Sequence, residues 1–399
     1  MDSQAIDNPF RPAPGSEPPA LVGRDEEIGA ARYALAMTAS GAPIQPIVFT
    51  GLHGMGKTAL LRMCLADATL ANAIVLSAEA SRNEPLNLTL ARSLERARRE
   101  NASLPEKLKS GMGKVLQALP RATFELPNDL GAVSIAAGGE QKTVSLADAL
   151  DELNTTVRDH KRTLVIAIDE IQDAPIEGLR DIFRFIHATA GTSRPAFFLA
   201  AGLPNSREHL HDVRTYTERW RYFRLELLSR AETKEAIFLP TRERGVSIED
   251  SALERLADES AGYPFFVQEY ASAAWLNHRG STIDLADVER AIPGVRRILE
   301  DDFYDARFRL LTPRECVYVL AMAQLGAGPH TSGEIASILE TTSDVVSSIR
   351  NQLIKKDIIF SPITGMAEFR IPLTERYVRD HRDELERRAK NVTVRKKSP

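Results

Sequence analysis

The sequence predicts an α/β fold: a three-layer domain with a parallel sheet, then a helical lid domain, then a winged helix-turn-helix. Three observations carry this. Short aliphatic runs alternate with amphipathic segments from about residue 46 to 228, the pattern of parallel βαβ units. From Ser229 to Pro293 the pattern is helical throughout. Beyond Leu310, three helical segments precede two short strand-like runs.

The elements follow in order. Residues 1–20 are polar, contain five prolines, and read as a flexible N-terminal arm. In LVGRDEEI, Asp25 reads as the N-cap of a helix reaching about Ser40. PIVFTG (46–51) is a buried strand closed by Gly, and TALLRMCLADATL is a helix. AIVLSAEA (73–80) is a second strand, and residues 86–118 are mostly helical with a break near Pro105. The Gly-rich stretch GAVSIAAGGEQKTVSL (131–146) looks β-like, a hairpin or an insertion. A helix from Ala147 to His160, the strand TLVIAIDE (163–170), the helix IEGLRDIFRFIHATA, the strand PAFFLAAG (195–202) and a last strand in RYFRLELL (221–228) complete the first domain. The expected boundaries are 1–20, 21–228, 229–299, 300–385 and a basic tail 386–399.

Composition narrows the function classes. The chain has 399 residues, 43% of them hydrophobic and 27% charged, enough for two or three buried cores. Its 23 glycines and 22 prolines exclude a collagen-like or wholly disordered chain. No apolar run approaches the roughly 20 residues that span a bilayer, and the N-terminus lacks the pattern of a secretory signal. Only Cys64 and Cys316 are present, so neither a disulfide scaffold nor a structural zinc site is expected, and the reducing cytosol is the expected compartment. The net charge of −4 conceals a split: residues 308–399 carry 15 Lys/Arg against 11 Asp/Glu, and the remainder 36 against 44. That gives the last part a hint of affinity for an anionic partner.

Two motifs carry chemistry. Gly51-Leu52-His53-Gly54-Met55-Gly56-Lys57-Thr58 matches GxxxxGK[ST] between a strand and a helix. Successive amide N–H groups of such a loop turn inward around phosphate oxygens. Lys57 then reaches the β- and γ-phosphates, and the Thr58 hydroxyl meets Mg²⁺. His53 occupies a free position of the motif and is expected to face solvent. About 110 residues later, Leu164-Val165-Ile166-Ala167-Ile168-Asp169-Glu170 is an aliphatic run closed by two acids. The run suits a strand buried on both faces. Its acids emerge at the carboxyl edge, where open α/β sheets bind ligands. Asp169 is the candidate Mg²⁺ ligand and Glu170 the candidate general base for an attacking water.

With these motifs the chain resembles a P-loop ATPase of the AAA+ superfamily. It is most similar to bacterial AAA+ ATPases related to the origin-recognition-complex type, which carry a C-terminal winged helix. The resemblance spans about Pro9 to His381. It implies ATP and Mg²⁺ as ligands, hydrolysis of ATP, and a homo-oligomer in the ATP-bound state. It also implies that Val22 and Gly23 lie near the adenine. Asn205, in the loop after PAFFLAAG, is the candidate sensor of the γ-phosphate, or a loop-capping residue, since Gly occupies the more usual position. Arg219 is the candidate arginine finger, with Arg221 as runner-up or both as plain surface arginines. In Gly262-Tyr263-Pro264 the proline resembles one that contacts nucleotide, or the motif is a helix–helix turn. No later sensor arginine is evident, so tight coupling of the lid to the nucleotide is not expected.

The last domain starts at Thr312-Pro313-Arg314-Glu315, which reads as N-cap, N1 and N3 of a helix. Thr331 or Ser332 caps a second helix. In the third, from Ser343, Val345, Val346, Ile349, Leu353 and Ile354 form one apolar stripe. Ser347, Ser348, Arg350, Asn351 and Lys355 lie opposite, a composition suited to a DNA major groove. DIIFSP and AEFRIP then form a hairpin-like wing. Three readings follow: a DNA-associated ATPase that grips double-stranded DNA, a signalling or defence-type switch whose winged helix contacts a protein effector, and an ATP-binding scaffold with negligible turnover.

Overall fold

The computed structural model describes residues 7–13, 15–100, 104–118, 145–356 and 358–390. The Gly-rich stretch, apart from its last two residues, lies outside them, as do residues 391–399 of the basic tail. Two compact units divide the chain. One comprises Arg24–Thr50 and Leu60–Arg224. The other comprises the segment up to Gly23, Gly51–Ala59, and everything from Leu225. The division therefore falls at Arg224–Leu225 and groups residues 51–59 with the C-terminal elements.

In the first unit the helix α1 (Asp25–Ala39) precedes β1 (Ile47–Thr50), and α2 (Lys57–Leu70) begins in the other unit and ends here. β2 (Ile74–Glu79), α3 (Leu86–Glu100), α4 (Glu106–Ala118) and α5 (Leu146–Asp159) follow. They lead to β3 (Leu164–Asp169), α6 (Ile176–Ala190), β4 (Phe197–Gly202), α7 (Ser206–Val213) and β5 (Arg221–Arg224). Asp25 is the first residue of α1 and not its cap, which is Arg24. The acids Asp25, Glu26 and Glu27 fill the first turn, where the helix dipole favours negative charge. β5 is four residues long and does not extend to Leu228 as expected.

The five strands are parallel, in the order β2-β3-β4-β1-β5. The three central strands, β3, β4 and β1, are buried on both faces, as the interior of a parallel sheet must be. Val48, Ile166, Ile168 and Phe198 join a core with Leu90 and Leu94 of α3, Met112 of α4, Leu150 and Leu153 of α5, and Phe183 of α6. Ile47, Phe49, Val165 and Phe197 alternate with them and are equally buried. The order turns at β1, because the chain leaves it for the far edge at β2 and returns through β3 and β4. Ligands bind outside the carboxyl ends of strands at such a turning point. Register puts Thr50 level with Gly202, and Ile168 level with Ala200. The ends of β1, β3 and β4 therefore share one edge.

The second unit continues with α8 (Arg230–Glu243), β6 (Ser247–Ile248), α9 (Asp250–Ser260), α10 (Pro264–Asn277), β7 (Thr282–Ile283) and α11 (Leu285–Leu299). The two-residue strands β6 and β7 pair in parallel, an addition that short polar runs do not announce. After a π-helical turn at Glu300–Asp305 come α12 (Pro313–Leu325), β8 (His330–Thr331), α13 (Ser332–Ile338) and α14 (Ser343–Lys355). β9 (Ile359–Phe360), β10 (Met366–Phe369), α15 (Thr374–Asp380) and α16 (Arg382–Ala389) close it. Helices α12 to α14 accompany an antiparallel sheet in the order β8-β10-β9 in this mostly helical C-terminal region. Capping boxes fix the helix starts at Ser229/Glu232, Asp284/Asp287, Thr312/Glu315 and Thr331/Glu334. Residues 386–389 belong to α16, whose Leu385 is buried, rather than to a free tail. Arg388 is spent on the Leu311 carbonyl at 2.8 Å. The arm is anchored where described: Phe10 is buried, and Asn8 Nδ2 donates to Ser272 Oγ of α10 at 2.9 Å.

Glu259 at the end of α9 is the most buried charge in this unit that several cations share. Arg296 donates to it at 2.6 Å and Arg376 of α15 at 3.5 Å, and Arg255 pairs with it one turn back. Burial alone would raise its pKa. The hydrogen bonds from Arg296 and Arg255 outweigh that and hold the carboxyl below its ordinary range. A depressed carboxylate stabilises the fold above its unfolded value and loses that contribution as pH falls through and below it. We expect Glu259→Gln to cost about 2–4 kcal/mol at pH 7, read by urea unfolding. Its stability should also fall less steeply than that of the parent between about pH 6 and pH 3.5.

Candidate active site

The loop that follows β1 runs from Gly51 to Gly56, and Lys57 and Thr58 open α2. Gly54 and Gly56 have φ of 75° and 84°, conformations that L side chains rarely adopt. Lys57 is only 5% exposed, and its Nζ donates to the Leu52 carbonyl at 2.9 Å. Met55 is buried under the loop and Thr58 is half-buried. A helix start, amides in left-handed turns and a sequestered ammonium make a cradle for an anion.

The loop is held from outside by the C-terminal elements of its own unit. The Tyr263 hydroxyl donates to the His53 carbonyl at 2.8 Å. Burial pushes the Tyr263 phenol up, so the hydroxyl keeps the proton it donates. A Cβ on Gly54 would stand 2.2 Å from the Tyr263 hydroxyl oxygen. Arg370, just after β10, donates through Nη1 to His53 Nε2 at 3.4 Å. His53 is thus half-buried and engaged twice, and the expectation that it faces solvent is corrected. A free motif position specifies no side chain, but the loop backbone there is still a hydrogen-bonding surface.

Pro264 is the first residue of α10, and the side chain of its turn that reaches the loop is Tyr263. Gly262, also at positive φ, carries the carbonyl that accepts from Leu228 N at 2.8 Å. Val22 is half-buried, and Gly23 lies against the start of α8, where a Cβ would stand 2.8 Å from Glu232 Cδ.

In the other unit, Asp169 ends β3 and Glu170 follows it in the left-handed region, at φ 48° and ψ 44°. Such a conformation in a residue other than glycine costs on the order of 1–3 kcal/mol and persists only where the surroundings enforce it. Asp169 Oδ1 accepts from Glu170 N at 2.9 Å. Gln172 donates through Nε2 to Glu170 Oε2 at 2.7 Å and accepts at Oε1 from Leu203 N at 3.0 Å. Sequence pattern alone does not single out Gln172 or Arg370. A glutamine two residues beyond the acid pair was the only available signal, and nothing local marked the arginine.

Asn205 precedes α7 without capping it, and its Oδ1 is buried without a hydrogen-bond partner among the described residues. Arg219 is exposed and makes no ion pair among the described residues, whereas Arg221 stacks on Phe223 at 4.6 Å and pairs with Glu26 at 3.7 Å. His211 pairs with Glu218 at 2.9 Å. On α14, Asn351 and Lys355 are exposed, as is Ser348, and Ser347 is half-buried. Arg350 departs from the outward orientation expected of it: Nη1 donates to Ser332 Oγ at 3.2 Å. The buried stripe narrows to Val346, Ile349 and Leu353, with Val345 and Ile354 half-buried at its margins.

Comparison with known proteins bears on this geometry. Residues 20–198 match the family model described as AAA ATPase domain. Residues 301–378 match one described as a domain of unknown function (DUF8462). The Walker-type ATPase PABY2304 of Pyrococcus abyssi is similar in structure at 16% identity, with a TM-score of 0.59 over 92% of this chain and 98% of that one. The RuvB Holliday junction branch migration motor of Thermotoga maritima (14% identity, 90% and 95% coverage) gives a TM-score of 0.44. The Orc1 protein of Aeropyrum pernix, solved in complex with DNA, gives 0.46 (15% identity, 97% and 100% coverage). No curated protein matches the chain significantly. The parallel sheet, the AAA ATPase match and the Pyrococcus likeness together show a P-loop AAA+ ATPase fold with a mostly helical C-terminal region. Among the described residues, no helix is long and apolar enough to cross a membrane.

Gly54→Ala tests the cradle. The added methyl collides with Tyr263 in a backbone conformation it disfavours. We expect at least a tenfold loss of ATP affinity by titration calorimetry, with the circular dichroism spectrum unchanged.

Proposed function

We propose that this protein binds Mg-ATP at Gly51–Thr58, hydrolyses it, and passes the nucleotide state to its winged helix. The amides of Leu52, His53, Gly54, Met55 and Gly56 hold the phosphates. Lys57 exchanges the Leu52 carbonyl for a phosphate oxygen, a charged and stronger acceptor. Val22, Gly23 and Pro264 flank the nucleoside. Thr58 and Asp169 offer a hydroxyl and a carboxylate, hard oxygen donors of the kind Mg²⁺ takes. Mg²⁺ supplies neutralisation of developing phosphate charge. Glu170 accepts the proton of the attacking water. Arg219, exposed and without an ion pair among the described residues, serves a neighbouring copy in a homo-oligomer. Asn205 is the candidate polar contact to the γ-phosphate. The domain limits proposed are 21–228 for the ATPase, 229–299 for the lid and 300–385 for the winged helix.

One observation carries the coupling: two side chains from beyond residue 260, Tyr263 and Arg370, both bind His53 of the phosphate loop. Filling the loop changes the acceptors these donors see. A state change at the loop is thereby a change in what holds the wing.

The output favoured first is double-stranded DNA, through Asn351 and Lys355, with Ser347 and Arg350 behind them. A second reading, a protein effector, has its own support. The turn before β10, residues 361–365, contains no Lys or Arg, and Ile363 is 59% exposed there. An apolar wing tip suits a protein surface better than a phosphate backbone.

Lys57→Ala is expected to abolish ATP binding, and Glu170→Gln to keep binding while losing hydrolysis by at least a hundredfold. A Glu170→Gln protein with parental turnover would remove Glu170 from its role. Asn351→Ala combined with Lys355→Ala should weaken duplex binding at least fivefold by fluorescence anisotropy and leave basal ATPase intact. Unchanged DNA affinity favours the effector reading.

A further inference from the structure

The end of β4 is built around the side chain of Gln172. The last strand residue is Gly202, and a Cβ there would stand 2.4 Å from Ser206 Oγ and 2.6 Å from Gln172 Oε1. No other residue type fits without moving Gln172. The space holds an amide with every hydrogen-bonding direction in use. Oε1 accepts from Leu203 N at 3.0 Å and from Ser206 Oγ at 3.3 Å. Nε2 donates to Glu170 Oε2 at 2.7 Å and to Asp173 Oδ2 at 3.4 Å. The orientation of the amide is fixed by chemistry: a backbone N–H only donates, so the atom facing Leu203 is the carbonyl and the NH₂ faces the carboxylates.

This matters because Glu170 is placed by little else. It sits one residue past β3, its backbone in a left-handed turn. The last paired positions of β3 and β4 are Ile168 and Ala200, and Gln172 joins the two strand ends beyond them, through Glu170 and Leu203. A carboxylate on a flexible side chain orients a water only when its own rotamer is held.

We infer that Gln172 is the positioning residue of the hydrolytic site, tying the Glu170 carboxylate to the end of β4. This rests on the reading of Glu170 as the base. It also accounts for the missing polar residue at the strand end: glycine stands there because Gln172 arrives from the neighbouring strand's loop to fill the place. Gln172 acts through Glu170. It sets the direction in which Glu170 presents its oxygen.

The test separates donation to Glu170 from simple capping of β4. Gln172→Glu is isosteric and retains an acceptor for Leu203 N and Ser206 Oγ, but it cannot donate to Glu170 at neutral pH and it repels it. Gln172→Ala removes both functions. Ser206→Ala removes one donor to Oε1 and leaves the amide in place. Full-length protein is assayed for steady-state ATP hydrolysis, ATP affinity and melting temperature, with Glu170→Gln measured alongside. We expect kcat to fall tenfold to a hundredfold in both Gln172→Ala and Gln172→Glu, with KM and ATP affinity within twofold of the parent. Ser206→Ala should lose no more than about fivefold. Parental kcat in Gln172→Glu, or losses that track KM and melting temperature together, overturns the inference while leaving the ATPase reading intact. No turnover in the parent, or full turnover in Glu170→Gln, overturns the base assignment and the inference with it.

Discussion

Burial of a parallel sheet on both faces is the constraint from which the rest proceeds. Strands such as β3 have no polar face to show to water, so their side chains are aliphatic until the chain leaves the sheet. Every chemically active group must then appear at a strand's carboxyl end or in the loop after it. Thr50 hands over to the phosphate loop, Asp169 closes β3, and Gly202 closes β4 beside the Gln172 amide. The turn in strand order at β1 brings these ends to one edge. An aliphatic-to-acid switch inside a single strand is therefore a positional signal as well as a compositional one.

That explains what could be read in advance. Periodicity located the five strands of the large sheet and most helices, because burial on two faces or on one stripe leaves its mark on consecutive residues. Capping residues at Thr312 and Thr331 located helix starts, because their hydrogen bonds are local. The phosphate loop and the acid pair were legible for the same reason: each is a contiguous run whose chemistry depends on neighbours in sequence. The contacts from Tyr263, Arg370 and Gln172 were not. Each joins positions that the chain brings together only after folding, from 31 residues apart for Gln172 and Leu203 to 317 for Arg370 and His53. Arg350 shows the converse. Helical spacing put it opposite the apolar stripe, but a long side chain can turn back to a neighbouring helix, and here it meets Ser332.

The C-terminal unit is fastened by charge more than the composition suggested. Glu259 gathers arginines from α9, α11 and α15. Lys356 bridges the buried Glu315 and the Leu310 carbonyl. A good share of the basic residues that tipped residues 308–399 to a positive balance are thereby spent within the fold. The charge left for a partner is smaller than the count implies, and on α14 the one exposed basic side chain is Lys355.

The hydrogen bond from Tyr263 ends on a main-chain oxygen, and that has an evolutionary consequence. Every amino acid presents a carbonyl, so substitution at position 53 leaves this attachment in place. The attachment from Arg370 ends on the imidazole and disappears with it. Drift at one residue of the loop thus removes the Arg370 contact while sparing that of Tyr263, without any change to the loop's glycines or lysine.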